Sequence, residues 1–322
     1  MYKEAKQAIK EAKTIYISGH ERPDGDAIGS AISMYLCCKN LGKDVKVVMP
    51  EYGRRYNFLK ELKETVKCVE EDEYDLLICV DTSSDEHLAM SHEDKKKAKK
   101  VIVFDHHRNT STEGNIKVLD DESPANCEIM FEFYKKAKFK VDSKMAGYLY
   151  LGLLTDTGSF NYKRTTSNTY RIAADLIDLG ADFVEICKRM NDTCTEARLK
   201  VISHIANNME VYFDGKVRMC TMTKEELENL CADENDIEGI VNYLRMVENT
   251  EVAIFIREVE DGISKVSIRT EGRIDGAKIA TEFGGGGHIR ASGFNTKDVE
   301  ETKQELLKVI GVEINGEING DT

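Results

Sequence analysis

Four short segments of the sequence carry histidine and aspartate side chains that suit metal binding and acid–base chemistry. Each of the first three follows an apolar run that is typical of a buried strand, and the fourth ends the apolar stretch LYLGLLT. The side chains are His20, Asp24 and Asp26; then Asp81; then Asp105, His106 and His107; and finally Asp156. Any one segment alone also fits a turn or a helix cap. Their shared placement favours a common site.

The elements that must position these side chains alternate between strand and helix. In an open α/β sheet, ligands bind outside the carboxyl ends of the strands, so the histidines and aspartates meet at one edge. The alternation predicts a mostly parallel sheet covered by helices. Strands are predicted at 14–18, 44–49, 75–80 and 101–104, and helices at 2–13, 27–42, 125–137, 142–154 and 166–189.

Clustered carboxylates repel one another, so several aspartates at one sheet edge need cations. Carboxylates combined with two imidazoles suit a hard or borderline octahedral ion such as Mn²⁺ better than a thiolate-bound metal. Six candidate ligands exceed what one catalytic ion with open positions needs. Two ions that share one carboxylate fit better, and such a pair clamps a phosphoryl group and activates water. The reaction class that follows is hydrolysis of a phosphate ester.

The composition limits which binding partners and which cellular compartment fit this chain. The 322 residues include 45 Lys+Arg and 58 Asp+Glu, a net charge of −13, which argues against long duplex nucleic acid. No apolar run approaches the ~18 residues that span a membrane, and the charged N-terminus does not fit a signal peptide. Nine cysteines, an odd count without a CxxC pair, favour free thiols and a cytoplasmic address.

The second half of the chain has a different pattern and predicts a smaller α/β domain. A hairpin over 211–222 turns at Asp214-Gly215, and two further strands over 252–270 turn at Asp261-Gly262. Helices are predicted at about 223–230, 235–244 and 298–310, with a short helix before the run GGGGH. The predicted organisation is a catalytic domain over 1–190, a helical linker over 191–209, a substrate-binding domain over 210–312 and a polar tail over 313–322.

Five stretches of the sequence resemble one known family. ISGHERPDGDAIGS, VDTSS, VFDHHRN and GLLTDTGSF are similar to the four successive motifs of the DHH phosphoesterase family. The stretch VSIRTEGRIDGAKIATEFGGGGHIRASGF resembles that family's DHHA1 domain. The motifs span residues 17–294 in the family's order. The compact size most resembles the stand-alone nanoRNase/pAp-phosphatase (NrnA-like) subgroup, and we find no added nucleic-acid-binding module.

The resemblance implies a role for each residue of the four segments. His20 and Asp24 would hold one Mn²⁺ ion, while Asp26, His106 and Asp156 would hold the other. Asp81 would bridge both ions. Asp105 would orient a neighbouring imidazole. His107 would face the substrate phosphate as a stabiliser or a general acid. Mg²⁺ or Co²⁺ are alternatives to Mn²⁺.

The glycine-rich segment and nearby arginines are the candidates for binding substrate. Glycines let a backbone approach a ligand closely and present N–H groups to phosphate oxygens, although four glycines alone also fit a flexible loop. The arginines suit phosphate, and Arg269 also fits a surface ion pair. The candidates are Gly284, Gly285, Gly286, Gly287, His288 and Ser292, which match the family's substrate-binding loop, and Arg108, Arg269 and Arg273.

The resemblance implies hydrolysis of RNA fragments of 2–5 residues to nucleoside 5′-monophosphates and of 3′-phosphoadenosine 5′-phosphate (pAp) to AMP. A phosphodiesterase for cyclic di-AMP or its linear product pApA is the main alternative. A non-catalytic nucleotide-binding protein is another, which the complete ligand set argues against. An inorganic pyrophosphatase would also resemble the first domain, but the GGGGH loop and the length of the chain argue against it, since pyrophosphate needs no contacts to a base or ribose. A homodimer is left open.

Overall fold

The computed structural model describes residues 1–260 and 262–315, and the chain divides after Thr193 into two compact units. Asp261, which we predicted at a turn, and residues 316–322 of the predicted tail lie outside the described residues. Each unit has its own sheet, and the fold class predicted from the sequence is confirmed. The chain carries no helix, among the residues described, that is long and apolar enough to cross a membrane.

The first unit is built on a five-stranded sheet whose strands are all parallel. Its strands run in the order β2-β1-β3-β4-β5. Their bounds are Thr14–Ser18 (β1), Asp44–Val48 (β2), Tyr74–Val80 (β3), Ala98–Asp105 (β4) and Ile116–Leu119 (β5). The four predicted strands are confirmed, and the short edge strand β5 was not predicted.

Both faces of this sheet are buried, which explains why its strands read as continuous apolar runs rather than alternating ones. Ile15 and Ile17 of β1 pack into the large core with the long helices, while Tyr16 between them packs into a smaller cluster on the opposite face. β3 alternates in the same way, with Ile78 in the large core and Leu77 in the smaller cluster. Burial on both sides therefore accounts for the unbroken apolar sequence of these strands.

The helices of the first unit lie mainly where the sequence predicts them, with one correction. The predicted helix over 166–189 is two helices, because Gly180 adopts a left-handed conformation with φ of +94° and ends the first one. The helices are Tyr2–Glu11 (α1), Gly25–Asn40 (α2), His92–Lys96 (α3), Asn126–Ala137 (α4), Ser143–Asp156 (α5), Ser167–Asp178 (α6) and Phe183–Asn191 (α7); short 3₁₀ turns cover Arg54–Tyr56, Lys60–Glu64 and Asp85–His87.

Helices α2 and α5 approach each other backbone to backbone, and glycine makes this approach possible. A Cβ atom on Gly29 would lie 2.3 Å from the carbonyl oxygen of Tyr148. One on Gly152 would lie 2.2 Å from Cys127 Sγ and 2.6 Å from Asp26 Oδ1. No side chain fits at either position. The close contact brings the first turn of α2 beside the last turns of α5.

The second unit is built on a six-stranded mixed sheet in the order β10-β11-β9-β8-β7-β6. Its strands pair antiparallel except for β7 and β8, which are parallel. The strand bounds are Glu210–Tyr212 (β6), Val217–Met222 (β7), Val252–Glu260 (β8), Ile263–Thr270 (β9), Gly286–His288 (β10) and Ala291–Thr296 (β11), and a 3₁₀ turn at Phe213–Gly215 joins the first two.

Helices cover both faces of the second sheet. One face packs against the helices Gly276–Glu282 and Val299–Asn315 through residues such as Ile279 and Ile310, and the other packs against the helices Glu196–Asn208, Glu234–Ile237 and Val241–Arg245. Lys224–Asn229 (α9) follows β7 with a Thr223 cap. The remaining bounds are Glu196–Asn208 (α8), Glu234–Ile237 (α10), Val241–Arg245 (α11), Gly276–Glu282 (α12) and Val299–Asn315 (α13).

Three predictions for this half differ from the structure. The predicted helical linker 191–209 does contain a helix, α8, but its buried Val201 and Ile205 belong to the core of the second unit. The predicted helix over 235–244 is two short helices, since Gly239 between them has a φ of +68°. The predicted tail from residue 313 begins too early, because Ile314 is buried in the core and extends α13.

Candidate metal centre

The carboxyl edge of the parallel sheet collects the predicted ligands from four places in the chain. His20 lies two residues beyond β1, Asp81 directly follows β3, and His106 directly follows β4. Asp24 and Asp26 lie at the first turn of α2, and Asp156 is the last residue of α5. Asp26 and Asp156 are on helices rather than at strand ends. The close packing of α2 against α5 is what brings them together.

One group of potential ligands surrounds His20. Its Nε2 atom lies 3.9 Å from Asp24 Oδ1 and 3.8 Å from Asp81 Oδ2. Asp24 also caps α2, with the same Oδ1 atom accepting hydrogen bonds from the amides of Asp26 and Ala27. Ligand atoms of His20, Asp24 and Asp81 all lie within 4.8 Å of one another, so a single ion could contact all three.

A second group surrounds His106. Its Nε2 atom lies 3.3 Å from Asp156 Oδ2, 3.4 Å from Asp81 Oδ1 and 3.9 Å from Asp26 Oδ2. Asp26, His106 and Asp156 form one cluster with ligand atoms within 4.8 Å, and Asp81, His106 and His107 form another. Asp81 therefore contributes one carboxylate oxygen toward each histidine group.

Backbone and side-chain partners hold several of these groups in place. Asp26 accepts hydrogen bonds from the amides of Asn126 and Cys127, at 2.5 and 2.9 Å, at the start of α4. His107 Nδ1 lies 2.7 Å from Asp105 Oδ1, and the hydroxyl of Thr110 donates to the other Asp105 oxygen. The Asp105 carboxylate is fully buried and contacts His107 directly. Its predicted part in orienting an imidazole stays a prediction that this geometry supports.

The cluster places several buried carboxylates close together, and their pKa values are raised as a result. Burial, together with the charges of Asp26 and Asp24, raises the pKa of Asp81 well above its usual range. Burial is also the largest cause that raises the pKa of Asp156, to about 9, with Asp26 adding to it. The pKa of Asp26 is raised chiefly by burial as well. Each of these carboxyls is costly to ionise without added positive charge.

The pKa values of His20 and His107 are raised as well, which for an imidazole favours the charged form. Burial lowers the pKa of His20, but the nearby carboxylates of Asp24 and Asp81 outweigh burial, so the pKa is raised. The hydrogen bond to Asp105 is the largest cause that raises the pKa of His107. Both imidazoles therefore face a strongly negative environment.

A divalent cation fits this donor set. Asp81 Oδ1 is buried and has no hydrogen-bond donor within the described ranges 1–260 and 262–315, an arrangement that is costly unless a cation lies beside it. The donors are carboxylate oxygens and imidazole nitrogens with no thiolate among the clusters found in these ranges, a combination that suits Mn²⁺ or Mg²⁺. Arg108, beside the histidines in the sequence, is exposed.

The predicted substrate-binding residues of the second unit lie along one edge of its sheet. The run GGGGH is partly a strand and not only a loop, since Gly286–His288 forms the edge strand β10. His288 pairs with Ala291 of β11, and Ala291 pairs with Arg269 of β9. Paired residues point to the same face, so the His288 and Arg269 side chains lie on one face, two strands apart. Arg273 is exposed in the turn after β9.

The local structure explains why serine stands at position 292 and glycine at position 287. Ser292 is buried and its hydroxyl donates to the carbonyl oxygen of Gly276 at 2.6 Å, a bond that already occupies its proton. Gly287 has a φ of +138°, and a Cβ atom there would lie 2.5 Å from the carbonyl oxygen of Ala291. By contrast, a Cβ on Gly286 would meet open space. Gly284 and Gly285 complete the turn from α12 into β10.

The sequence analysis missed the residues that hold the Nδ1 side of the His106 ring. The imidazole Nδ1 lies 3.2 Å from the carbonyl oxygen of Ser123, and Arg164 donates to that same oxygen at 2.8 Å. A backbone carbonyl leaves no side-chain pattern in a sequence, and Arg164 lies outside the four motifs. Only the fold shows these contacts.

Family models match both units of the chain. The model described as the DHH family, N-terminal domain, matches residues 14–153, and the model described as the DHHA1 domain matches residues 215–315. The chain therefore carries a DHH domain in its first unit and a DHHA1 domain in its second. The recognition made from the motifs is thereby confirmed, and the DHH match contains five of the six predicted metal ligands, from His20 to His106.

Several named relatives of this chain are phosphoesterases. A bifunctional oligoribonuclease and PAP phosphatase, NrnA, from Thermus thermophilus is 28% identical over 93% of this chain and 90% of that protein. The cyclic-di-AMP phosphodiesterase PdeA from Listeria monocytogenes is 25% identical over 97% of this chain but 49% of that protein. The crystal structure of an exopolyphosphatase-related protein from Bacteroides fragilis superposes with a TM-score of 0.89 at 25% identity, covering 98% and 96% of the two chains.

Proposed function

We propose that this chain, an enzyme of the phosphoesterase class, hydrolyses short oligoribonucleotides to nucleoside 5′-monophosphates and pAp to AMP. The observation that carries the proposal is the Asp81 carboxylate, which turns one oxygen toward His20 and the other toward His106. The NrnA relative, covered over 90% of its length, supports the substrate class.

Two divalent ions, in our proposal Mn²⁺, bind at the two histidine groups. His20 and Asp24 would hold one ion, Asp26, His106 and Asp156 would hold the other, and Asp81 would be available to both. When bound, such ions polarise a phosphoryl oxygen and lower the pKa of a water molecule. They also relieve the repulsion among Asp26, Asp81 and Asp156, whose pKa values are raised in the metal-free chain.

His107 acts on the substrate rather than as a ligand in this proposal. Asp105 accepts a hydrogen bond from His107 Nδ1, which leaves Nε2 directed away from the carboxylate. Because that bond raises the pKa of His107, the imidazole holds its second proton more readily than a free histidine does. A protonated Nε2 can donate to a phosphate oxygen or to the departing alkoxide as a general acid. Asp105 keeps the ring in this orientation.

The second unit contributes positive charge and hydrogen-bond donors for a terminal phosphate. His288 and Arg269 share one face at the edge of its sheet, and the exposed Arg273 lies just beyond β9. Gly286, where an added Cβ atom would meet open space, offers an approachable backbone beside His288. Arg108 is the corresponding candidate in the first unit. These assignments rest on the resemblance of the GGGGH segment to the DHHA1 substrate-binding loop.

Short substrates are favoured by charge. A chain with a net charge of −13 gains little from a long polyanion beyond the contacts at the site itself. A dinucleotide or pAp needs only those contacts. The second candidate function is hydrolysis of cyclic di-AMP or pApA, which the PdeA relative favours, since that similarity covers 97% of this chain.

A substrate panel tests the proposal and separates the candidates. The protein is stripped with EDTA, reconstituted with Mn²⁺, and given dinucleotide RNA, longer RNA, pAp, pApA, cyclic di-AMP and pyrophosphate in parallel. We expect the highest kcat/KM on dinucleotide RNA and pAp. A preference for cyclic di-AMP or pApA would assign the second function instead. Binding of nucleotides without any hydrolysis, in the presence of Mn²⁺, would contradict both.

A further inference from the structure

Arg164 lies at the end of a short segment that begins at the proposed ligand Asp156. Three consecutive residues of this segment, Gly158, Ser159 and Phe160, have φ values between +57° and +65°. The Thr157 hydroxyl oxygen accepts a hydrogen bond from the Phe160 amide at 2.9 Å and fixes this turn. A left-handed conformation at two non-glycine residues is uncommon, so the path of the segment is specifically determined.

The Arg164 side chain contacts the loop that precedes α4. Its Nη2 atom donates to the carbonyl oxygen of Ser123 at 2.8 Å and to the carbonyl oxygen of Asp121. Both acceptors are backbone atoms, so the guanidinium holds the main chain of this loop rather than a side chain. Ser123 is buried, and its amide donates to Asp120 within a tight turn.

The Ser123 carbonyl is also the partner of His106. A carbonyl oxygen can only accept, so His106 Nδ1, 3.2 Å away, is the protonated nitrogen of this contact. In the neutral ring, Nε2 then carries the lone pair that binds a metal. Nε2 is the atom that lies 3.3 Å from Asp156 Oδ2. Residues 156–164 therefore reach the imidazole at both nitrogens, directly through Asp156 and through the Ser123 carbonyl from Arg164.

We propose that Arg164 is a positioning residue that fixes the tautomer and the place of His106 through the Ser123 carbonyl, and so sets the affinity of the His106 group for a divalent cation. This inference rests on the proposed function, because it assumes that His106 binds a metal. Arg164 touches neither substrate nor ion in it. The usual effect of losing such a supporting contact is a 10–100-fold loss of metal affinity.

Two variants and one matched control test the inference. Arg164→Gln removes the charge and shortens the reach, while Arg164→Lys keeps one charged donor for the Ser123 carbonyl. Arg171→Gln is the control, since Arg171 is an exposed arginine of α6 whose Nη1 atom donates to the Ser167 hydroxyl. Thermal unfolding of the metal-free proteins establishes that all three variants are folded.

Two readouts are combined, neither of which requires catalysis. Calorimetric titration of the EDTA-treated protein with Mn²⁺ should show an about 10–100-fold loss of affinity in one binding step for Arg164→Gln, with partial rescue by Arg164→Lys. The ¹H–¹⁵N NMR signal of the His106 Nδ1–H group, which the Ser123 carbonyl protects from exchange, should broaden in Arg164→Gln. Arg171→Gln should match the wild type in both measurements.

The outcomes separate this inference from the proposed function. A wild-type protein that binds no divalent ion would overturn the proposed function and the inference with it. If the wild type binds two ions and Arg164→Gln binds them with unchanged affinity and an unchanged Nδ1–H signal, only the role of Arg164 is overturned. An affinity loss without any change in the Nδ1–H signal would likewise contradict a role that acts through His106.

Discussion

Asp81 Oδ1 lies 3.4 Å from His106 Nε2, while Asp81 Oδ2 lies 3.8 Å from His20 Nε2, so one buried carboxylate joins the two histidine groups. Asp81 has a φ of +50° and its amide donates to the Phe104 carbonyl, which fixes the side chain between neighbouring strands. A carboxylate in this position serves both ions of the proposed pair. It is therefore the residue whose loss should matter most.

We expect Asp81→Asn to lower the rate at least ~10³-fold, which is about 4 kcal/mol of barrier, because an amide of the same shape removes the shared charge. Calorimetric titration with Mn²⁺ should show both binding steps weakened. Asp85→Asn is a control from the next turn of the chain, where the carboxylate pairs with Lys95 instead. Retention of a tenth of the wild-type rate in Asp81→Asn would remove Asp81 from the shared position.

Gly152, at the α2–α5 contact, should tolerate substitution by alanine far less well than Gly147 of the same helix. A Cβ on Gly152 would lie 2.6 Å from Asp26 Oδ1, whereas one on Gly147 would meet only Ile186 Cδ1 at 3.8 Å. We expect Gly152→Ala to cost about 1–3 kcal/mol of unfolding free energy and to weaken metal binding, because overpacking displaces Asp26. Gly147→Ala should be neutral or stabilising by about 0.5–1 kcal/mol. Equal unfolding free energies in urea titrations would refute the close contact.

The stability of the metal-free protein should fall as the pH rises. Burial and the charge of Asp26 raise the pKa of Asp156 to about 9, whereas an aspartate in the unfolded chain ionises near pH 4. Between these values the folded chain holds a proton that unfolding releases, so a higher pH favours unfolding. Asp24, whose pKa is lowered because its contacts with His20 and the α2 amides outweigh burial, contributes only below about pH 4.

Thermal unfolding at pH 5.5 and pH 8 measures this effect. EDTA-treated protein should have the lower Tm at pH 8, and Asp156→Asn should lessen the difference because it removes one titrating group. The Tm of Mn²⁺-loaded protein should fall less between pH 5.5 and pH 8, since metal-bound carboxylates are already ionised. A metal-free protein that is more stable at pH 8 would show that the carboxylate cluster is not costly to ionise.

His288→Ala should raise KM for pAp and dinucleotides while the metal content stays unchanged. His288 lies on β10 in the second unit and belongs to none of the clusters of potential ligands in the described ranges. His92→Ala, an exposed histidine at the start of α3, serves as the control. Kinetics are combined with metal analysis of the purified proteins. Loss of one ion per chain in His288→Ala would place His288 among the ligands instead.

The sequence predicted the elements whose pattern is dictated by burial. β1, β3 and β4 are apolar on both faces, and their carboxyl ends carry side chains that meet at the candidate metal centre. The sequence did not predict β5, because a four-residue edge strand, IKVL, is too short and too exposed to show a period. The strand β10 was missed because glycines have low strand propensity, and only pairing with β11 defines it.

The candidate site also has parts that the sequence predicts and parts that it does not. Candidate side-chain ligands leave recognisable motifs, so the cluster members His20, Asp81 and His106 could be named from the sequence. The supporting contacts are backbone atoms, such as the Ser123 carbonyl and the amides at the start of α4, which any residue can supply. Their positions depend on how loops pack after folding. Arg164 acts through one of these backbone atoms and for that reason carries no motif of its own.

The dependence of activity on RNA length tests the central claim most directly. Mn²⁺-reconstituted protein is given RNA of two, five, ten and twenty-four residues at fixed salt, and kcat/KM is measured for each. We predict that kcat/KM falls as the chain grows beyond about five residues, because a polyanion gains few contacts beyond the site and meets an acidic protein. A flat or rising series would indicate a processive exonuclease and would contradict the assignment to short substrates.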